Sequence, residues 1–300
     1  MKQKITFQSK QIVGSGLALA CLVFCVAAYA ANPAVWWNDI SNDRAADVQT
    51  LLAQGADPNE ANTQGQPAIM QAIRDGAWHV YDILAGDRKT AIDAVNSNNE
   101  TPLMYLAIAG QTKRAEALIN RGAKVNRLGW TPLQYAASKG HLDTVKMLIA
   151  HKAIVDAPAP DGTTALMMAA FSGSQPVVQA LLDAGAEVTT QNLDHHDAAD
   201  WAHLRKHDDL AKQLAALIKK TQDQRAIQHA KNQAQEAASE ASGAGTNATV
   251  PAAGGMPEAE TAQPGAAVPA ASNGAATGKP ADNSSSRYFN PADIDPNASH

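Results

Sequence analysis

One pattern recurs along the middle of the chain and limits what the chain can fold into. TPLMYLAIAG begins at Thr101, TPLQYAASKG at Thr131 and TALMMAAFSG at Thr164, and weaker copies begin at Pro67 and Asp197. The starts are 34, 30, 33 and 33 residues apart. Self-similarity at such a period is typical of solenoids, in which each unit buries its apolar surface only against its neighbours. We therefore predict a row of stacked units.

Each copy contains residues that begin and end helices. Thr131 can cap a helix through its hydroxyl group, and Pro132 suits the first helical position, where a backbone N–H would have no partner. Gly140 can end that helix because glycine adopts the left-handed conformation without steric cost. His141 then begins a second helix. Residues at helix boundaries in other copies are Thr101, Pro102, Gly122, Thr164 and Gly185.

These residues resemble the ankyrin repeat, whose period is about 33 residues and whose units begin with a TPLH-like sequence. The resemblance extends from Trp36 to about Lys220, so residues 36–220 are predicted to form the repeat domain. It implies an all-α solenoid of helix–turn–helix units joined by β-turn fingers, with an N-terminal capping helix, about four repeats and a C-terminal capping unit. It also implies a protein-binding scaffold with no intrinsic catalytic site.

The spacing of the copies locates the caps and the irregular repeats. We expect the N-terminal capping helix at Ser41 to Ala53 and the C-terminal unit at His196 to Lys219. A four-residue insertion predicts a local irregularity near Asp87 to Asp93. Two linkers that are three residues short predict blunt fingers at Asn98 and Leu128.

The repeats lack one side chain that the family usually has. The histidine of the TPLH sequence is replaced by Met104, Gln134 and Met167. In the family that histidine supports hydrogen bonds between loops. We therefore expect this network to be absent here, with packing around sulfur in its place.

The N-terminal residues have the layout of a secretory signal. Three lysines precede an apolar run from Ile12 to Ala28, and the small-residue triplet Ala28-Tyr29-Ala30 follows. We expect residues 1–30 to be a signal peptide that is cleaved after Ala30, which predicts a periplasmic protein. The run is nearly long enough to span a bilayer, so an uncleaved inner-membrane anchor is the alternative.

Removal of the signal would change the chemistry of the chain. Both cysteines, Cys21 and Cys25, lie in the signal, so the exported protein would be held together by packing without disulfides. The Lys and Arg total would fall from 24 to 21 against 29 acids, for a net charge of −8. Such a charge gives no electrostatic reason to bind nucleic acid or an anionic membrane surface.

The C-terminal residues 221–300 are rich in Ala, Gly, Pro, Ser and Asn. They contain no leucine, and their only aromatic residues are Tyr288 and Phe289. Such a segment buries too little apolar surface to fold, so we expect a disordered tail with a helix reaching to about residue 240. Its last residues, RYFNPADIDPNASH, are either a recognition motif or an inert remnant.

No motif in the chain points to catalysis or to a bound metal. The densest cluster of candidate ligands is LDHHDAADWAHLRKHDDL. Its His203 and His207 are four residues apart, but the repeat places them on two helices, on opposite sides of a turn. Nucleophile elbows, zinc motifs and phosphate-binding loops do not occur in the sequence. We predict no enzyme activity, no cofactor and no metal site.

A binding surface is the remaining expectation. In the ankyrin family, partners usually contact the concave side, which finger tips and the exposed ends of the first helices form. The positions that correspond to this side predict six contact residues. Four are apolar and are expected to form a stripe: Ile108, Trp130, Phe171 and Leu204. Two are basic: Arg74 and Lys139. The alternative is that these apolar residues are merely scattered over the surface.

The overall plan is similar to that of exported bacterial ankyrin proteins associated with periplasmic catalase and oxidative-stress protection. It implies a monomer that binds another protein, such as a catalase or a similar enzyme, and stabilises or inhibits it. Two alternatives stay open. The chain could be an immunity-like inhibitor that neutralises a toxin, or an envelope structural protein held by an uncleaved anchor.

Overall fold

The computed structural model describes residues 32–243. The signal segment expected at residues 1–30 and the tail beyond residue 243 lie outside the described residues. Within residues 32–243 the chain forms twelve α-helices and no β-strand. Their bounds are α1 (Trp36–Ser41), α2 (Ala45–Ala53), α3 (Ala68–Arg74), α4 (Trp78–Gly86), α5 (Pro102–Ile108), α6 (Thr112–Asn120), α7 (Pro132–Ser138), α8 (Leu142–Ala150), α9 (Ala165–Ser172), α10 (Gln175–Asp183), α11 (Ala198–Leu204) and α12 (Asp208–Gly243).

The helices alternate between two layers and form six two-helix units. The odd-numbered helices α3, α5, α7, α9 and α11 pack against one another in succession, and α1 packs on α3. We call this the inner layer. In the outer layer, α2 packs on α4, α6 on α8 and α8 on α10. The arrangement is the all-α ankyrin solenoid that the repeat predicts.

The two central inner helices, α5 and α7, are buried on every side. All seven residues of α5 and all seven of α7 are buried, and Ala136 and Ala137 are fully inaccessible. Small side chains at these two positions let the helices of neighbouring units approach closely. The core is therefore a continuous row along the solenoid and has no single centre.

The outer helices are amphipathic. In α8, Val145 and Leu148 are fully buried, whereas Asp143 and Lys146 are exposed. The buried residues recur at helical spacing, so only one side of the helix faces the inner layer.

The N-terminal cap differs from its prediction. It consists of two helices: α2 corresponds to the helix expected from Ser41 to Ala53 but begins at Ala45, and α1 precedes it as a second helix that was not predicted. Trp36 and Ile40 of α1 are fully buried and supply the apolar surface that covers α3. A six-residue helix is too short to show a helical period in the sequence.

Histidines join neighbouring units. His141 does more than begin α8: its Nε2 lies 2.9 Å from the carbonyl oxygen of Ile108 in the preceding unit. Gly110, at φ +63°, lies against this ring, and a Cβ there would come within 2.8 Å of it. Gly173 faces His207 in the same way, with a Cβ-to-ring distance of 2.5 Å. Glycine is required at both sites by the backbone conformation and by the closeness of the ring.

The prediction that the hydrogen bonds between loops are absent is wrong at one repeat. Gln134 is fully buried, and its Nε2 donates to the carbonyl oxygens of Ala157 (2.9 Å) and Thr163 (2.8 Å) in the next finger. Its Oε1 accepts the backbone N–H of Thr131 at 2.8 Å. The glutamine amide thus bonds in both directions, as an imidazole could.

The two methionines at this position behave differently. The sulfur atoms of Met104 and Met167 each accept the N–H of the capping threonine of their own unit, Thr101 and Thr164, at 3.4 Å. A thioether has no hydrogen to donate, so neither methionine can donate to the next loop as Gln134 does.

The irregular segment near Asp87 to Asp93 is confirmed. Helix α4 ends at Gly86 and turns follow. The side chain of Asn59, in the preceding finger, accepts the N–H of Ala91 (2.7 Å) and donates to the carbonyl of Lys89 (2.9 Å). Hydrogen bonds between the Asn59 side chain and the backbone of the insertion therefore hold the insertion against the neighbouring finger.

The last helix extends far beyond the repeat domain. Helix α12 continues to Gly243 and passes the boundary expected near residue 220. Arg225 donates to Thr189 Oγ1 at 2.9 Å and forms an ion pair with Glu187, both in the preceding finger. The hydrogen bond from Arg225 is the main cause that lowers the pKa of Glu187 to about 2.

The folded pKa of Glu187 lies below its ordinary value of 4.5, so the ion pair stabilises α12 fully above about pH 4.5. The stabilisation is lost as the pH falls toward 2. For a largely exposed pair we expect about 0.2 to 1 kcal/mol. Far-UV circular dichroism should show a loss of helix in the wild type over this range that Arg225→Ala lacks, because the variant has lost the contact already at pH 6. Identical acid titrations of both proteins would contradict the contact.

Candidate protein-binding surface

Burial of the inner helices leaves only their ends and the fingers for contact with other molecules. The predicted contact residues fall at both ends. Arg74, at the end of α3, is exposed, and Lys139, at the end of α7, is half-buried. Ile108 is only 3% exposed, so its prediction as a surface residue is wrong. It lies in the last turn of a helix that is buried on all sides, and its carbonyl accepts the contact from His141.

Phe171 and Leu204 lie together at the ends of α9 and α11. The ring of Phe171 meets that of Trp201 edge to face, with centroids 5.7 Å apart. The guanidinium carbon of Arg205 lies 4.5 Å above the Phe171 ring. Leu204 is 67% exposed. We call these four residues the α9–α11 cluster.

Trp130 lies elsewhere. It precedes α7, whereas Phe171 lies in the last turn of α9, so the two occupy opposite ends of the inner layer. Its half-buried ring packs edge to face on Tyr135, with centroids 6.2 Å apart. The predicted apolar stripe is therefore divided between the finger side and the helix-end side.

On the finger side of the inner layer, the buried side chain of Glu100 holds neighbouring side chains in place through hydrogen bonds. Glu100 is 4% exposed and accepts hydrogen bonds from Asn96 Nδ2 (2.7 Å), from the hydroxyl of Tyr105 (3.3 Å) and from the hydroxyl of Tyr135. Burial, with a contribution from Glu100, raises the pKa of Tyr105 to about 12 and raises the pKa of Tyr135 further. Both phenols therefore stay protonated donors. The network joins a finger to α5 and α7 and orients Tyr135, on which Trp130 packs.

The finger tips carry apolar residues that were not among the predicted contact residues. Leu128 is 95% exposed and Leu193 is 71% exposed. Between them lies the finger that contains Pro160, which faces Gly129, and the backbone N–H of Leu193 donates to the carbonyl of Asp161 at 2.8 Å. Three consecutive fingers thus present adjacent apolar tips. The signal in the sequence is a lone leucine in each of two polar loops.

Sequence reasoning also missed one member of the α9–α11 cluster. Trp201 lies in the weakest copy of the repeat, where no family position marks it as a contact residue. Arg205 follows Leu204 at the helix end, which is the kind of position from which the contact residues were chosen, but only the structure places its guanidinium over the Phe171 ring.

The histidine-rich segment forms no cluster of metal ligands. The Nδ1 of His203 lies 2.9 Å from Asp208 Oδ1, and both side chains are exposed. His207 lies against Gly173. Among the described residues, no group of three or more histidine, cysteine, aspartate or glutamate side chains is arranged to hold a metal ion. A search of the same residues for a helix with the length and apolarity of a bilayer span finds none.

The chain belongs to the ankyrin repeat family. The family model "Ankyrin repeats (3 copies)" matches residues 40–128 and 124–192, which together span half of the chain. Among solved structures, an ankyrin repeat domain from Acinetobacter baumannii is similar, with 27% identity and a TM-score of 0.51. The similarity covers 60% of this chain and 96% of that one.

Curated relatives share the repeats alone. An Arabidopsis thaliana E3 ubiquitin-protein ligase, XBAT33, is 31% identical over 156 residues, which are 51% of this chain and 29% of the ligase. The mouse B-cell lymphoma 3 protein homolog is 29% identical over 157 residues, which are 50% of this chain and 35% of that protein. The chain thus spans about a third of the length of these relatives. Repeats of this family generally mediate protein–protein interaction and are typically not enzymes.

Proposed function

We propose that this protein is a non-enzymatic scaffold that binds another protein through the α9–α11 cluster and through the apolar finger tips at the opposite end of the inner layer. The observation that carries the proposal is the cluster itself. It presents two aromatic rings packed edge to face, an arginine over one of them and an exposed leucine on consecutive inner helices. Aromatic residues and arginine are the side chains most enriched at binding hot spots.

The finger tips form a second apolar surface at the other end of the inner layer. Leu128 and Leu193 are exposed, and the backbone around them is held by hydrogen bonds between neighbouring fingers. A surface that is fixed before binding loses little conformational entropy when a partner docks. Apolar tips on a rigid row therefore favour a folded partner with a complementary apolar surface.

We further propose that the protein acts in the periplasm and binds an enzyme there, which it stabilises or inhibits. The support for the location is the order of lysines, apolar run and small residues in 1–30. The support for the partner class, a catalase or similar enzyme, is the likeness of the overall plan to exported ankyrin proteins. An envelope-anchored protein is the second candidate, which the length of the run from Ile12 to Ala28 favours.

The intact mass of the protein recovered from its source cells separates the two locations. Cleavage after Ala30 predicts a chain that begins at Ala31 and is released in the periplasmic fraction. A full-length mass in the membrane fraction would support the anchor and contradict the cleaved, periplasmic form.

Affinity capture with the immobilised chain of residues 31–300 tests the surface. Phe171→Ala combined with Leu204→Asp should reduce the captured partner at least tenfold, because the pair removes a ring of the cluster and places a charge on its exposed edge. Quantitative mass spectrometry measures the partner, and circular dichroism checks that the variant is folded.

The matched control is Lys146→Ala, which changes an exposed residue of the outer layer and should leave capture unchanged. Undiminished capture by the folded double variant would place the binding surface elsewhere. Equal loss in Lys146→Ala would show that the effect is not specific to the inner layer.

A further inference from the structure

A small cavity separates α4 from α6 in the outer layer. Its volume is about 190 Å³. The two helices are packed less closely there than α6 and α8 are. Tyr81, Asp82, Arg114 and Arg121 supply its polar lining, and small apolar residues supply the rest.

The sequences of the outer helices explain why the gap exists. When the nine-residue helices are aligned, Ala85 of α4 takes the position of Ile119 in α6, Ile149 in α8 and Leu182 in α10. Ala117 of α6 takes the position of Met147 in α8. These smaller side chains leave space between α4 and α6.

The guanidinium group of Arg114 already has hydrogen-bond partners. Its Nε and Nη2 donate to the two carboxylate oxygens of Asp82 at 2.9 and 3.0 Å, and its guanidinium carbon lies 4.9 Å from the centre of the Trp78 ring. The hydrogen bond that Arg114 donates to Asp82 is the main cause that raises the pKa of Arg114. This pair therefore forms a fixed and nearly neutral wall of the cavity.

Arg121 and Tyr81 retain donor capacity. Arg121 is exposed and donates from Nη2 to the carbonyl oxygen of Asp87 at 2.9 Å. Tyr81 is 2% exposed and lines the cavity. Burial raises the pKa of Tyr81, and Asp82 adds to the effect, so the phenol is a neutral donor. A phenol and a guanidinium that line one cavity are both hydrogen-bond donors, which favours a ligand that accepts hydrogen bonds.

We propose that this cavity binds a carboxylate group, which accepts hydrogen bonds from the Tyr81 hydroxyl and the Arg121 guanidinium. The lining contains two guanidinium groups and one acid, so it carries a single positive charge that matches a monoanion. The volume is below the roughly 300 Å³ at which pockets for drug-sized ligands begin. The ligand is therefore a small carboxylic acid or one aspartate or glutamate side chain of a bound protein.

NMR titration of the chain of residues 31–300 with sodium acetate tests the site, with sodium chloride at equal ionic strength as the control. The indole N–H of Trp78 and the Nε–H of Arg114 line or border the cavity and report on it. We expect saturable shifts with acetate, with a dissociation constant on the order of millimolar for so small a ligand. Equal shifts with chloride would overturn the proposal.

Two variants separate the cavity from general anion effects. Ala85→Leu restores the side chain found in α10 and should abolish the acetate response by filling the space. Tyr81→Phe keeps the ring and should weaken acetate binding about tenfold through the lost hydrogen bond. If Ala85→Leu does not fold, Tyr81→Phe still tests whether acetate binds in the cavity. An unchanged dissociation constant in a folded variant of either kind would refute the site.

The source of the carboxylate is distinguished by a second ligand, N-acetyl-glutamate amide. Saturable binding of this compound shows that a carboxylate on a peptide can enter, and binding of acetate alone identifies a free acid. Capture of the protein partner depends on the inner layer, so failure of the acetate experiment leaves the proposed scaffold function standing.

Discussion

Packing between neighbouring inner helices is the constraint on which the rest of this structure depends. Helices α5 and α7 have no exposed residue, because each is covered by the inner helix on either side and by the outer helix of its own unit. The small side chains of Ala107 in α5 and of Ala136 and Ala137 in α7 help these helices to approach closely. A single unit would leave this surface in water, so no unit is complete without its neighbours.

The same constraint decides where function can lie. With the sides of the inner helices buried, other molecules can reach only the helix ends, the finger tips and the outer surface. The connections between units hold these positions in place: His141 reaches back to the carbonyl of Ile108, and Gln134 reaches forward to Ala157 and Thr163. Exposed residues such as Leu128 and Leu204 are thus mounted on a backbone that neighbouring units fix.

Much of the fold could be predicted from the sequence, because threonine, proline and glycine recur at helix boundaries with a fixed period. The first cap helix could not, since α1 has only six residues and shows no period. The role of Gln134 was misjudged because histidine usually occupies its position in the family. The physical requirement is only a side chain that both donates and accepts hydrogen bonds. Ile108 was misjudged because its position at a helix end suggested exposure, which the close packing of α5 prevents.

The candidate sites were predicted less well, for a related reason. Phe171 and Leu204 were found by position, but the packing of Trp201 and the placement of Arg205 over Phe171 depend on the geometry between units. The cavity between α4 and α6 is marked in the sequence only by side chains that are smaller than their equivalents, such as Ala85. That signal appears when the outer helices are compared with one another.

Removal of one buried side chain from the middle of the row tests the stacking most directly. Leu148 is fully buried in α8, and Lys146 on the same helix is exposed. In urea melts followed by hydrogen exchange, Leu148→Ala should lose about 2 to 5 kcal/mol of unfolding free energy and speed exchange in α6 and α10 as well as in α8. Lys146→Ala should do neither. Unchanged stability of Leu148→Ala, or faster exchange confined to α8, would contradict a row of units that depend on one another.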